Sequence, residues 1–104
     1  MSSIPSEERF AAELLGTDVL VGVTMVDHSG RVMERRQFHG KVVHASVEDG
    51  VTLVDQAGDE HWLPLDPEAY EPAEPGEYEL RSTGQVVLHP TWLTKWIVSP
   101  PKRH

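Results

Sequence analysis

Cysteine is absent from this 104-residue chain, which excludes disulfides, thiolate metal sites and cysteine nucleophiles. Long apolar runs are also missing. No segment approaches the roughly 20 apolar residues that a membrane span needs. The opening residues MSSIPSEERF lack the basic start and apolar stretch of a secretory signal, so the expected location is the cytoplasm, away from membranes. Basic residues are scarce: nine Lys and Arg stand against 17 Asp and Glu, for a net charge of −8. That balance disfavours nucleic acid as a partner, because phosphate binding rests on Lys and Arg. The distribution is sharper than the total. Between Lys41 and Arg81 there is no Lys or Arg, while eleven carboxylates fall in that stretch. Arg31, Arg35, Arg36 and Lys41 gather just before it. Such a dipolar chain can attract a basic partner to its acidic end.

What is present is a β pattern, and the length predicts one domain over 1–104. From Leu15 to Leu65 the chain reads as an antiparallel meander, with the strands lying within 18–65. Val19, Val21, Val23 and Met25 alternate with Leu20, Gly22, Thr24 and Val26, and the first set is assigned to the core. Turns are expected at Asp27–Gly30, Glu48–Gly50 and Gln56–Asp59. The strand from Arg31 to about Ala45 carries Gly40, which permits a bend or bulge. Phe38, Val42, Val51, Leu53, Trp62 and Leu65 complete the expected core. Before the meander, residues 6–15 predict one short helix. Glu7 and Glu8 suit its positive end, Phe10 and Leu14 form its apolar stripe, and Gly16 ends it. A helix this short must pack on something, and the open end of a barrel is the natural place.

Residues 64–76 break the pattern. Pro64, Pro67, Pro72 and Pro75 make this an extended Pro-rich loop, expected to cover an edge strand. Strands resume over 77–98, with Tyr78 and Leu80 inward, Arg81 outward and a tight turn at Thr83-Gly84. Trp92–Val98 admits a helix by its four-residue spacings, but its β-branched content and flanking prolines favour a strand. The remaining tail, 99–104, is expected to be loose.

The first half resembles the Sm-like branch of the small SH3-like barrels. The resemblance is carried by a short helix, Leu15-Gly16, Val19-x-Val21-x-Val23, Gly30-Arg31 and Phe38-x-Gly40-x-Val42. It implies a mainly β fold: a small, strongly bent antiparallel barrel with a short N-terminal helix and a Pro-rich loop. In that family, ring oligomers that bind RNA are common. The chain departs from the family where RNA is held. The relevant turn reads Val47-Glu48-Asp49-Gly50, and the second signature, an Ile/Leu-Arg-Gly, is missing. Fold is therefore carried over, and RNA-binding residues are not. The C-terminal half resembles small uncharacterised bacterial proteins, a likeness that implies no activity.

The histidines are the first residues able to carry chemistry. His28, His39, His44, His61 and His89 lie in or beside the strands, and His39 and His61 can share a side with Asp59 or Glu60 nearby. No H-x-H or H-E-x-x-H spacing occurs, and His39 and His44 share a face only if a bulge intervenes. No metal and no cofactor is therefore expected. No carboxylate lies in an apolar run that would raise its pKa, and no nucleophile or phosphate-loop motif is present. The expected function is a non-enzymatic, acidic protein-interaction module. Its candidate interface is Asp59, Glu60, Asp66, Glu68, Tyr70, Glu71, Glu74 and Trp96, facing another, basic protein. The alternative is nucleic-acid binding through Arg31, Arg35, Arg36 and Lys41. Homo-oligomerisation through the barrel edges is compatible with either.

Overall fold

The computed structural model describes residues 6–80 and 84–99. It is mainly β with one short α-helix. Helix α1 spans Ser6–Leu14. The strands are β1 (Asp18–Val26), β2 (Val32–Ser46), β3 (Gly50–Asp55), β4 (Glu60–Leu63), β5 (Tyr70–Pro72), β6 (Glu77–Glu79), β7 (Val86–Leu88) and β8 (Trp92–Val98). Six strands form one sheet in the order β4-β3-β2-β1-β8-β5, and β6 and β7 form a separate hairpin. The larger sheet does not close on itself.

The local chemistry explains these elements. Two of the hairpin turns use the same device, an Asp followed three residues later by Gly. Asp27 Oδ1 accepts from the Ser29 hydroxyl (2.6 Å) and from the N–H groups of Ser29 and Arg31. Asp55 Oδ1 accepts from the N–H groups of Ala57 and Asp59. Gly30 and Gly58 then take φ of +87° and +88°, which glycine adopts without steric cost. Helix α1 ends at Leu14, where the Thr17 hydroxyl donates to the Leu14 carbonyl at 2.6 Å. The chain then docks on β2, through Gly16 N–H to Val42 O and Val42 N–H to Thr17 O.

Long β2 changes partners along its length. It pairs with β1 from Val32 to Lys41 and with β3 from Gly40 to Ser46. At the crossover, a Cβ on Gly40 would lie 2.8 Å from the Val54 carbonyl oxygen. Only glycine lets the two backbones approach this closely. The core lies on one face: Leu14, Val19, Val21, Val42, Val51, Leu53, Leu63 and Tyr70 are buried together. In the hairpin, Leu80 and Val87 are buried and Tyr78 is half-buried.

Several expectations need correction. The sheet is mixed, because β8 runs parallel to β1 from Val19↔Trp92 to Met25↔Val98. Parallel neighbours need a long connection, and the segment between β4 and β8 supplies it. The proline-rich stretch is more ordered than a loop. A short 3-10 helix at Pro67–Ala69, opened by Asp66, leads into β5, which pairs with Trp92–Thr94 of β8. Tyr70, expected on an interface, is 5% exposed. Its register opposite Thr94 points it into the core, and its hydroxyl donates to Pro64 O. Trp62, expected in the core, is 62% exposed. It pairs with Thr52, while its neighbours His61 and Leu63 pair with the core-side residues Leu53 and Val51. One residue of register decides the face. Trp92–Val98 is a strand as expected. The placements expected for Arg81, Thr83 and residues 100–104 lie outside the described residues.

Candidate functional site

The core-side face of the sheet is covered only in part. At one end, α1 lays Phe10 edge-on against Tyr70 and Trp92, at ring-centroid distances of 5.5 and 5.3 Å. Tyr70 in turn meets Trp96 edge-on at 6.1 Å. Beyond Trp96 the face opens into a groove of about 730 Å³. Val23 and Phe38 lie at its base. One wall is Glu60–Leu63 with Pro64, and the other runs from Trp96 to Ser99. Trp62 and Ile97, both strongly exposed, stand only at the rims of opposite walls, because pairing with Thr52 and Thr24 turns their side chains to the other face. Among the described residues the lining is dominated by apolar and aromatic side chains, with Glu60 its one carboxylate and no Lys or Arg. Such surfaces favour binding, because aromatic side chains bury much area at small entropic cost.

Fixed side chains hold this shape. The His61 ring stacks on Phe38 at 4.1 Å, and its Nε2 lies 2.7 Å from Asp55 Oδ2. The His61 hydrogen bond, then the Asp59 N–H, hold the Asp55 carboxyl below its ordinary pKa. An ionised carboxylate only accepts, so His61 donates from Nε2. Trp62 is fixed by a 2.6 Å bond from its Nε1 to Asp49 O and by contact with Gly50. A Cβ there would meet the indole at 2.7 Å, and Gly50 has φ of +78°. Burial, with the charge of Asp66, pushes the Tyr70 phenol well above its ordinary pKa, so the phenol stays neutral and keeps its bond to Pro64 O.

Of the candidate interface residues, only Glu60 and Trp96 border the groove. Asp59 lies exposed in the β3–β4 turn. Asp66 accepts from the Glu68 N–H, and Glu68 is exposed. Glu71 is exposed on β5, and Glu74 is exposed while its carbonyl accepts from the Tyr78 hydroxyl. Phe38, Ile97 and Val98 were not among the candidates. The alternation of Trp96 and Val98 was a usable signal, but their meeting with β4 depends on how the sheet curls.

The basic candidates do not form one patch. Arg36 pairs with core-side Val23 and bonds Glu34 Oε1 at 2.9 Å on the surface, a contact worth little in water. Arg35 pairs with Thr24 and Lys41 with Asp18, on the other side of the sheet. Arg31 lies in the turn before β2. A second cleft, about 600 Å³, runs over Gly22 and Thr24 and is bordered by Arg35, Arg36, Gln37 and Lys95. Lys95 reaches it because β8 pairs Gly22 with Lys95.

The bulge that sets His39 and His44 on one face is present, between Val42 and His44. Even so, His44 bonds Asp49 at 3.2 Å and His39 lies 3.8 Å from Asp18. Among the described residues, no three His, Asp or Glu side chains converge as a metal site. No helix among them is long and apolar enough to cross a membrane. Comparison with protein-family models, curated proteins and solved structures gives no match.

Proposed function

We propose that this chain is a non-enzymatic, acidic protein-interaction module that docks an apolar, base-flanked segment of another protein. The observation that carries the reading is the uncovered part of the core-side face, where Val23, Phe38, Trp96 and Val98 lie between β4 and the end of β8. An apolar groove left open in a chain this charged suits a partner with apolar side chains. The net charge of −8 and the carboxylate of Glu60 at the groove favour a basic flank on that partner. The same reading takes the curled sheet as a gapped relative of the SH3-like barrels. Its support is the helix over one end and the change of partner along β2 at Gly40.

The test is selection of peptides from a random displayed library by the full chain, repeated with Val98→Asp. Val98 lines the groove on the same face as Trp96 and is 44% exposed, so its replacement should lower the melting temperature only modestly. The expected result is enrichment of peptides combining apolar residues with Lys or Arg, lost in the variant. Enrichment of none, or of peptides the variant binds equally well, overturns the reading. A second reading, RNA binding, is favoured by one observation: the cleft that joins Arg35 and Lys95 has no carboxylate in its lining among the described residues.

A further inference from the structure

We infer that the partner segment enters the groove as an extended strand, pairing with the open edge of β4 and with the open half of β8. This deepens the docking reading and rests on it. Strand register leaves two edges open. β4, four residues long, pairs with β3 from Val51↔Leu63 to Val54↔Glu60. Among the described residues no strand lies along its other edge. β8 pairs with β1 along its whole length. Its opposite edge is covered by β5 only over Trp92–Thr94. From Lys95 to Val98 that edge has no strand among the described residues.

Both open stretches border one groove. Glu60–Leu63 form one wall, Trp96–Val98 lie in the other, and Val23 and Phe38 lie at the base. Each edge offers a row of backbone N–H and C=O groups. A bound segment would bury these groups, and burial without partners is unfavourable. An extended segment supplies such partners on both sides, as in strand addition to a sheet edge. A helix satisfies its own backbone and would leave both edges unpaired.

Side-chain alternation then defines the occupant. In a strand, every second residue would face Val23, Phe38 and Trp96, and these positions call for apolar side chains. The residues between would face out past Glu60 into the field of an acidic chain, and these positions call for Lys or Arg. The partner is therefore a segment that alternates apolar and basic residues.

The test uses the full chain at physiological salt and follows tryptophan fluorescence and amide hydrogen exchange. Three kinds of capped peptide serve as probes: alternating valine and lysine, the same peptide N-methylated on either alternate set of backbone nitrogens, and a helix-forming leucine–lysine peptide of equal charge. The expected result is binding of the alternating peptide with slowed exchange within residues 60–63 and 95–98. N-methylation should weaken it by roughly tenfold or more, since several backbone hydrogen bonds are lost. Equal binding by the helical peptide, no effect of N-methylation, or binding without protection at these edges overturns strand addition and leaves the docking groove standing. If no peptide binds, both readings fall. If the chain self-associates with concentration and protects the same edges without peptide, the occupant is a second copy, and the proposed partner is overturned. The N-methyl peptides leave the protein unaltered, so misfolding cannot mimic the result.

Discussion

Asp55 shows how single residues shape this molecule. Its carboxylate holds the turn N–H groups of Ala57 and Asp59 and orients His61 over Phe38 at the base of the groove. Its folded pKa lies below the ordinary 3.8, first because of His61 and then because of the Asp59 N–H. On acidification the unfolded chain takes up this proton first, so between the two values stability rises with pH. The contribution is nearly complete above about pH 5 and is lost as pH falls through the lower, folded value. The Asp55→Asn variant should therefore show a flatter fall of the urea midpoint on the acid side than the wild type. Some slope should remain, because Asp27 is depressed in the same direction, chiefly by the Ser29 hydroxyl. Equal slopes would show that Asp55 holds no such proton linkage. The turns containing both Asp residues were legible from their spacing to Gly. The stacking of His61 on Phe38 was not, since it joins residues on β2 and β4 that do not pair with each other.

At the scale of elements, the segment before β5 is anchored by few bonds. Asp66 opens its 3-10 helix, Tyr70 reaches back to Pro64, and the Thr94 hydroxyl donates to Ala69 O at 2.7 Å. Thr94 is 2% exposed, so this bond is made away from water. Replacing Thr94 with Val keeps the shape and removes the donor. The expected cost is about 1–2 kcal/mol, from one buried hydrogen bond and the acceptor left behind. Amide exchange should quicken around Ala69 and Tyr70 more than in β1 or β2. A uniform increase throughout the chain would instead place the loss in global stability. Composition and the prolines identified this stretch as a break between strands. They did not reveal β5, because a strand of three residues carries no periodic signal and exists here only by pairing with β8.

For the whole molecule, charge and shape separate two faces. One carries the apolar groove with Glu60, and the other carries the cleft between Arg35 and Lys95. Titration with single-stranded RNA, followed by anisotropy, distinguishes the faces. Under the docking reading, any RNA binding at low salt should be weak and should vanish at physiological salt. The double variant Arg35→Glu, Lys95→Glu should leave peptide binding at the groove unchanged. Saturable RNA binding at physiological salt, abolished by the double variant, would put the RNA reading in its place.

The sequence by itself determined the β-rich character, the positions of the turns, the helix and the core alternation along β1. These follow from local rules of spacing, glycine conformation and apolar periodicity, although the alternation holds only over Val19, Val21 and Val23, and Met25 lies outside the core. Only the tertiary structure decided that β8 lies parallel to β1, that Trp62 faces out while Tyr70 faces in, and that Arg35 and Lys95 line one cleft. It also brought β4 and the end of β8 to one groove. Each of these depends on register and on which distant strands become neighbours. A shift of one residue inverts a face, and local periodicity carries no record of which strand will lie alongside.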